Sequence, residues 1–73
     1  MRVRYDPEAD ALYIRLAEAA IANSSEVSPG IVMDYDAADR VVGIEVLDAA
    51  RRFPDANLRQ MQFEVSQSTS VPA

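Results

Sequence analysis

The sequence predicts an α+β domain: two consecutive antiparallel β-hairpins forming a four-stranded sheet, a candidate short fifth strand, and a short carboxy-terminal helix. Three observations carry this reading. Two stretches alternate apolar and polar residues on either side of a turn, the period of a half-buried strand. The two stretches repeat one plan at an offset of 30 residues, which lays Tyr5-Asp6 on Tyr35-Asp36, Ile14 on Ile44, Ala19-Ala20 on Ala49-Ala50, and the turn Pro7–Asp10 on Ala37–Arg40 without a gap. Beyond them, an Asp-headed run of alanine and arginine stops at a proline.

Met1 to Tyr5 and Ala11 to Leu16 alternate around Asp6-Pro7-Glu8-Ala9-Asp10. In that turn Asp can accept bonds from the backbone and Pro presets φ at the first corner. With Pro7–Asp10 as the loop, Tyr5 faces Leu12, Val3 faces Ile14 and Met1 faces Leu16. Those residues share one face, and Arg2, Arg4, Tyr13 and Arg15 share the other. Residues 17–30 read as an irregular connection with an extended piece at Ser25 to Val27, closed by the turn at Pro29-Gly30. In the second hairpin, Ile31 to Asp36 and Val41 to Leu47, Tyr35 faces Val42, Met33 faces Ile44 and Ile31 faces Val46. Asp34 then lies opposite Gly43 and Val32 opposite Glu45 on the outer side. Asp39 is the turn residue expected to need positive φ. Gly43 in mid-strand marks a bulge or a close approach, and either the Tyr13 ring or an aromatic from a second copy is expected to lie over its bare backbone.

Asp48 is placed to cap a helix over Ala49–Phe53 that Pro54 ends, and Asp55 to cap a further turn through Leu58 and Met61. Gln62-Phe63-Glu64-Val65 alternates and is the candidate fifth strand. The expected domain is 1–65, with 66–73 a polar, disordered tail. The expected core is Val3, Leu12, Ile14, Leu16, Ile31, Met33, Val42, Ile44 and Val46, covered by Phe53, Leu58 and Met61. Tyr5 and Tyr35 belong at its rim.

With 73 residues the chain is one small domain, and a domain of this size buries only about 60% of its unfolded surface. The absence of Cys and His removes disulfides and ordinary zinc sites, so association is the expected support. Twelve acidic residues against seven arginines, a net charge of −5, oppose non-specific nucleic-acid binding. No apolar run resembles a signal peptide or a membrane span. The expectation is a cytoplasmic protein with no membrane or nucleic-acid partner.

The runs Tyr5-Asp6-Pro7-Glu8-Ala9-Asp10-Ala11-Leu12-Tyr13-Ile14, Asp34-Tyr35-Asp36 and Val42-Gly43-Ile44-Glu45-Val46-Leu47-Asp48-Ala49 resemble the bacterial domain of unknown function family 2283 (DUF2283), over roughly residues 1–60. The chain departs at Asp39, where family members resemble one another in having Gly, and in a lengthened tail. The resemblance implies no established activity. Relatives resemble small solitary proteins, some encoded beside toxin-like partners, which implies a binding or antitoxin-like role.

Three constellations could carry chemistry. Asp34, Asp36 and Glu45 imitate the first, third and last calcium ligands of an EF-hand loop, but Ala38 at the fifth position offers no side-chain ligand and strands replace the flanking helices. Asp6 with Asp10, or Asp36 with Asp39, could pair as acid and base, yet solvated turns do not separate carboxyl pKa values; turn capping accounts for them better. Arg2, Arg4 and Arg15 around Tyr13 could hold single-stranded nucleic acid, against which stand Asp34, Asp36 and Glu45 on the other hairpin. No His, Cys or Lys is present as base or nucleophile, so an enzyme is not expected, nor is a cofactor implied. The reading is a non-catalytic protein–protein interaction module, in an antitoxin-like role beside a neighbouring protein. The alternative is a metal- or small-ligand-binding domain using the turn aspartates. A homodimer is expected, because the sheet edges carry no mid-strand Pro or Lys. Its interface would set Arg2, Arg4, Tyr13 and Arg15 of one copy against Asp34, Gly43 and Glu45 of another. The same charges can instead meet within one chain, if the second strand lies beside the one starting at Ile31.

Overall fold

A computed structural model describes residues 1–67. Its strands are β1 (Arg2–Asp6), β2 (Ala11–Arg15), β3 (Asn23–Ser28), β4 (Ile31–Tyr35) and β5 (Val41–Leu47), followed by the single-turn helix α1 (Ala49–Arg52). They form one antiparallel sheet in the order β1-β2-β5-β4-β3. The two hairpins therefore meet through their second strands, and Ile14 lies directly opposite its repeat partner Ile44. β2 does not lie beside β4. The charges on those two strands face each other only across β5.

The first hairpin has the expected register, Val3 opposite Ile14 and Tyr5 opposite Leu12. The second has it from Ile31–Val46 to Asp34–Gly43, then slips, so that Tyr35 pairs with Val41 and not with Val42. The extra residue is a β-bulge, which lets a strand accommodate a kink without losing its face pattern beyond it. The Val42 carbonyl accepts the Leu16 N–H at 2.8 Å and so continues the β2–β5 ladder past the last paired residue.

Residues 17–30 are not an irregular connection throughout. β3 fills Asn23–Ser28 and is the fifth strand, pairing Ser24 with Asp34 and Ser25 with Met33. Gln62–Val65, the expected fifth strand, is in no strand at all. Every residue of β3 is exposed, so no hydrophobic alternation marks it; backbone pairing to β4 makes it a strand. The expected disorder of 66–73 falls almost wholly on residues outside the described ones.

The carboxy-terminal expectations also need correction. α1 ends at Arg52, and Asp48 adopts φ 54° and makes no side-chain cap. An N-cap is ordinarily extended so that its oxygen reaches the first turn; a left-handed residue does not present it. Asp10 caps instead, its carbonyl accepting from the Ala49 N–H at 3.0 Å and its carboxylate from the Ala50 N–H at 2.8 Å. After Pro54, Asn57 and not Asp55 supplies a local cap, accepting from the Arg59 N–H at 3.0 Å.

The sheet is a single layer with apolar rows across its inner face: Val3, Ile14, Ile44 and Met33 in one, Tyr5, Leu12, Val46 and Ile31 in the next. Among the described residues only Val42 (1% exposed) and Ala49 (0%) are fully buried hydrophobic residues. Val3 and Leu16 of the expected core, and Phe53 and Met61 of its expected cover, are exposed. Among the described residues, those after α1 cover too little of the face to bury it.

Asp39 has the expected positive φ, 62°. Asp39→Gly should stabilise the fold by up to about 1 kcal/mol, because glycine occupies that region without a steric penalty. A urea melt of the variant checks this; a lower midpoint would mean that Asp39 contributes more than backbone conformation.

Candidate functional site

The outer face is built of two rows set by the strand register. One runs Arg2, Arg15, Gly43, Asp34, Ser24; the next runs Arg4, Tyr13, Glu45, Val32, Glu26. At their centre lies a polar clasp. Tyr13 donates its hydroxyl to Asp34 Oδ2 at 2.9 Å, reaching across β5 to a residue two strands away. Ser24 donates to Asp34 Oδ1 at 2.6 Å from the far side. Arg15 Nη1 donates to the Tyr13 hydroxyl at 3.4 Å. Asp34 is only 7% exposed, and with a donor on each oxygen its burial is compensated.

Gly43 makes this reach possible. A Cβ at that position would lie 2.6 Å from the Tyr13 hydroxyl oxygen, 2.9 Å from Asp34 Oδ2 and 3.1 Å from Tyr13 Cζ. The expected aromatic over the bare strand backbone is Tyr13 of the same chain, with its hydroxyl end above the glycine.

The arginines are not a uniform stripe. Arg2 pairs with Glu18 at 2.8 Å, and Arg15 lies 3.8 Å from the same carboxylate. Arg15 also donates to the Ala17 carbonyl at 2.8 Å and the Ala19 carbonyl at 2.6 Å, pinning the connection that follows β2. The acid that two facing arginines require is therefore Glu18, in that connection. Among the described residues Arg4 enters no ion pair. It borders a hollow of about 360 Å³ with Asp6, Ala11, Tyr13, Asp34 and Glu45.

The turn aspartates are occupied by their own turns. Asp6 Oδ1 accepts the Glu8 N–H at 3.0 Å and the Ala9 N–H at 3.3 Å. Its repeat partner Asp36 accepts the Ala38 N–H at 2.9 Å and the Arg40 N–H at 3.0 Å, while its other oxygen takes Arg40 Nε at 2.9 Å. Asp36 thus faces its own loop while Asp34 faces Tyr13 and Ser24. Among the described residues no three carboxylates converge as a metal-ligand set.

Asp10 belongs to a different cluster, between the first turn and α1. Besides the Ala50 N–H, its carboxylate accepts the Tyr5 hydroxyl at 2.7 Å. The Ala50 amide and then the Tyr5 hydroxyl hold the Asp10 carboxyl below its ordinary 3.8. The Arg40 amide, with its guanidinium and the Ala38 amide, does the same for Asp36. Tyr5 is pushed above its ordinary 10.0 by the bond that it gives to Asp10. A carboxyl lowered in the folded state contributes stability above its unfolded pKa that is lost as pH falls through the folded one. Urea midpoints should therefore drop as pH falls below 3.8, and Asp10→Asn and Asp36→Asn should each flatten that limb. An unchanged slope in both variants would mean other carboxyls control acid unfolding. Tyr5 acts at the other end, its contribution fading as pH rises above 10.0.

Three residues here escape sequence reasoning. Ser24 lies in a polar strand without alternation, Glu18 in an irregular segment, and the Asp10–Ala50 bond spans 40 positions. No local signal finds a partner at that distance.

A single twisted sheet with one short helix and a satisfied polar clasp on its outer face defines a small, mostly β, α+β domain. The family model described as protein of unknown function (DUF2283) matches residues 2–49, all five strands and the first residue of α1, and the chain belongs to that family. No curated protein and no solved structure matches it. Among the described residues no helix is long and apolar enough to cross a membrane.

Proposed function

We propose that the domain is a non-catalytic interaction module that associates through the open apolar face of its sheet, with a second copy of itself as the partner. The observation that supports this is a groove of about 610 Å³ on that face, bounded by Val3, Tyr5, Leu12, Ile14, Leu58 and Met61. Val3 and Met61 on that face are exposed, and Tyr5 and Leu58 are only half-buried, so the described residues leave it open to water. Closed two-fold pairing is the commonest way for a small soluble domain to cover such a face.

On the outer face the polar groups bond one another, which supports a structural role for that side. Light scattering and thermal melts over a range of protein concentrations test the reading. Dimer mass with a melting temperature that rises with concentration is expected. A monomer throughout, melting at one temperature, would overturn self-association. Conversion of the dimer to a heteromer by a co-purifying protein would redirect the reading to the antitoxin-like role that the family resemblance suggests.

A further inference from the structure

The sheet has two free edges, β1 and β3, and one unpaired stretch with strand alternation, Gln62-Phe63-Glu64-Val65. Phe63 is 66% and Val65 81% exposed, unusual for large apolar side chains that alternate in this way. The two edges offer that stretch very different surfaces. β3 presents Glu26 in an outer row and Ser25 in an inner one, so with Glu64 opposite Glu26 like charges would meet and Val65 would face a hydroxyl, leaving Val27 as the single apolar partner, opposite Phe63. β1 presents Arg2 and Arg4 outward, and Val3 and Tyr5 inward beside the groove that Leu58 and Met61 also border.

Antiparallel addition to β1 with Glu64 opposite Arg4 sets every other position by the two-residue period. Phe63 then falls opposite Tyr5 and Val65 opposite Val3, both on the inner face, while Gln62 meets Asp6 and Ser66 meets Arg2. Arg4, which has no ion-pair partner among the described residues, gains one. Within the chain itself Phe63 and Val65 remain exposed and unpaired although Met61 already borders the groove beside β1, which leaves a second copy's β1 as the edge for them to join.

We propose that residues Gln62–Val65 of one copy add as a sixth strand to the β1 edge of a second copy, reciprocally, with Glu64 opposite Arg4. The proposal rests on the self-association reading above and adds an edge contact to it, beside the groove on the apolar face. Arginines at both outward positions of β1 guard that edge against indiscriminate pairing. A strand carrying an acid at the matching position is admitted, and strand addition of this kind takes its affinity from main-chain bonds and its selectivity from alternate side chains.

Because the chain has no cysteine, single replacements report cleanly. Arg4→Cys and Glu64→Cys proteins, purified separately, are mixed and mildly oxidised. The mixed disulfide should accumulate over both self-linked species, since directly opposed strand residues lie within disulfide reach. Arg4→Glu and Glu64→Arg should each weaken dimerisation about tenfold or more, and their combination should recover most of the loss. Three results would overturn the proposal: no preference for the mixed disulfide, only intramolecular linkage in the doubly substituted chain, or no recovery in the charge swap. If the wild type still scatters as a dimer in those cases, the arm assignment alone fails. If the wild type is a monomer, both readings fail.

Discussion

Gly43→Val is expected to lower stability by about 2–3 kcal/mol, although valine is the better strand former. The loss comes from what the side chain would displace. A Cβ at 43 meets the Tyr13 hydroxyl oxygen at 2.6 Å and Asp34 Oδ2 at 2.9 Å, the donor and acceptor of one hydrogen bond. Neither can retreat freely. Asp34 is buried and also held by Ser24, and the Tyr13 hydroxyl is also bonded by Arg15. A hydrogen bond to a charged group contributes about 1.5–3 kcal/mol, and the buried carboxylate left without its donor adds a desolvation cost. In a domain of this size each kilocalorie moves the melting temperature by about 4–8 °C. Tyr13→Phe should lose a similar amount, and Gly43→Val added to Tyr13→Phe should cost much less than the sum of the two, since both remove the same bond. Valine at 43 melting at or above the wild type would show that the clasp does not depend on the glycine. Full additivity in the cycle would show that the two residues act separately.

Gly30→Ala should be destabilising by about 2 kcal/mol for two reasons at one position. Gly30 has φ 79°, where a residue with a Cβ suffers a steric penalty of about 1–2 kcal/mol. Its bare Cα also faces the Arg52 guanidinium, which a Cβ would overlap. Arg52 Nε donates to the Leu47 carbonyl at 2.9 Å, and Nη2 donates to the Pro29 carbonyl. The Leu47 N–H donates to the Gly30 carbonyl at 2.8 Å. Through these bonds the last residue of α1 ties the β3–β4 turn to the end of β5. Alanine at 30 must push the Arg52 guanidinium aside, loosening the tie between the end of α1 and the β3–β4 turn while Asp10 still holds the start of the helix. Arg52→Ala with Gly30→Ala separates the contributions: the backbone penalty persists without Arg52, and the remainder disappears. A Gly30→Ala variant within 0.5 kcal/mol of wild type, about the scatter of a neutral surface change, would remove both arguments.

Local pattern determined a good part of this protein. Alternation together with loop length is enough to set the register of the first hairpin and most of the second, because a one-residue slip would turn every apolar side chain outward. The same local chemistry accounts for Asp6 and Asp36 as turn caps and Asp39 as a left-handed turn residue. The 30-residue repeat brings Tyr13 and Gly43 to matching places in their hairpins, and the pairing of β2 with β5 lets one lie over the other.

What remained was decided by groups far apart in the chain. β3 is a strand because β4 offers it a backbone ladder, and its exposed serines show no period to read. The bulge at Val42 shifts Tyr35 by one partner, and on the other side of β5 the Val42 carbonyl takes the Leu16 N–H just past β2. Asp10 caps α1 from 40 positions away, while Asp48, the residue that local rules favour, is used up in a left-handed corner. Apolar alternation indicates which face of a sheet turns away from water, but only the packing of other elements determines whether that face is covered. Here a single short helix and a thin carboxy-terminal stretch cannot cover five strands, and residues with every mark of a core stand half open.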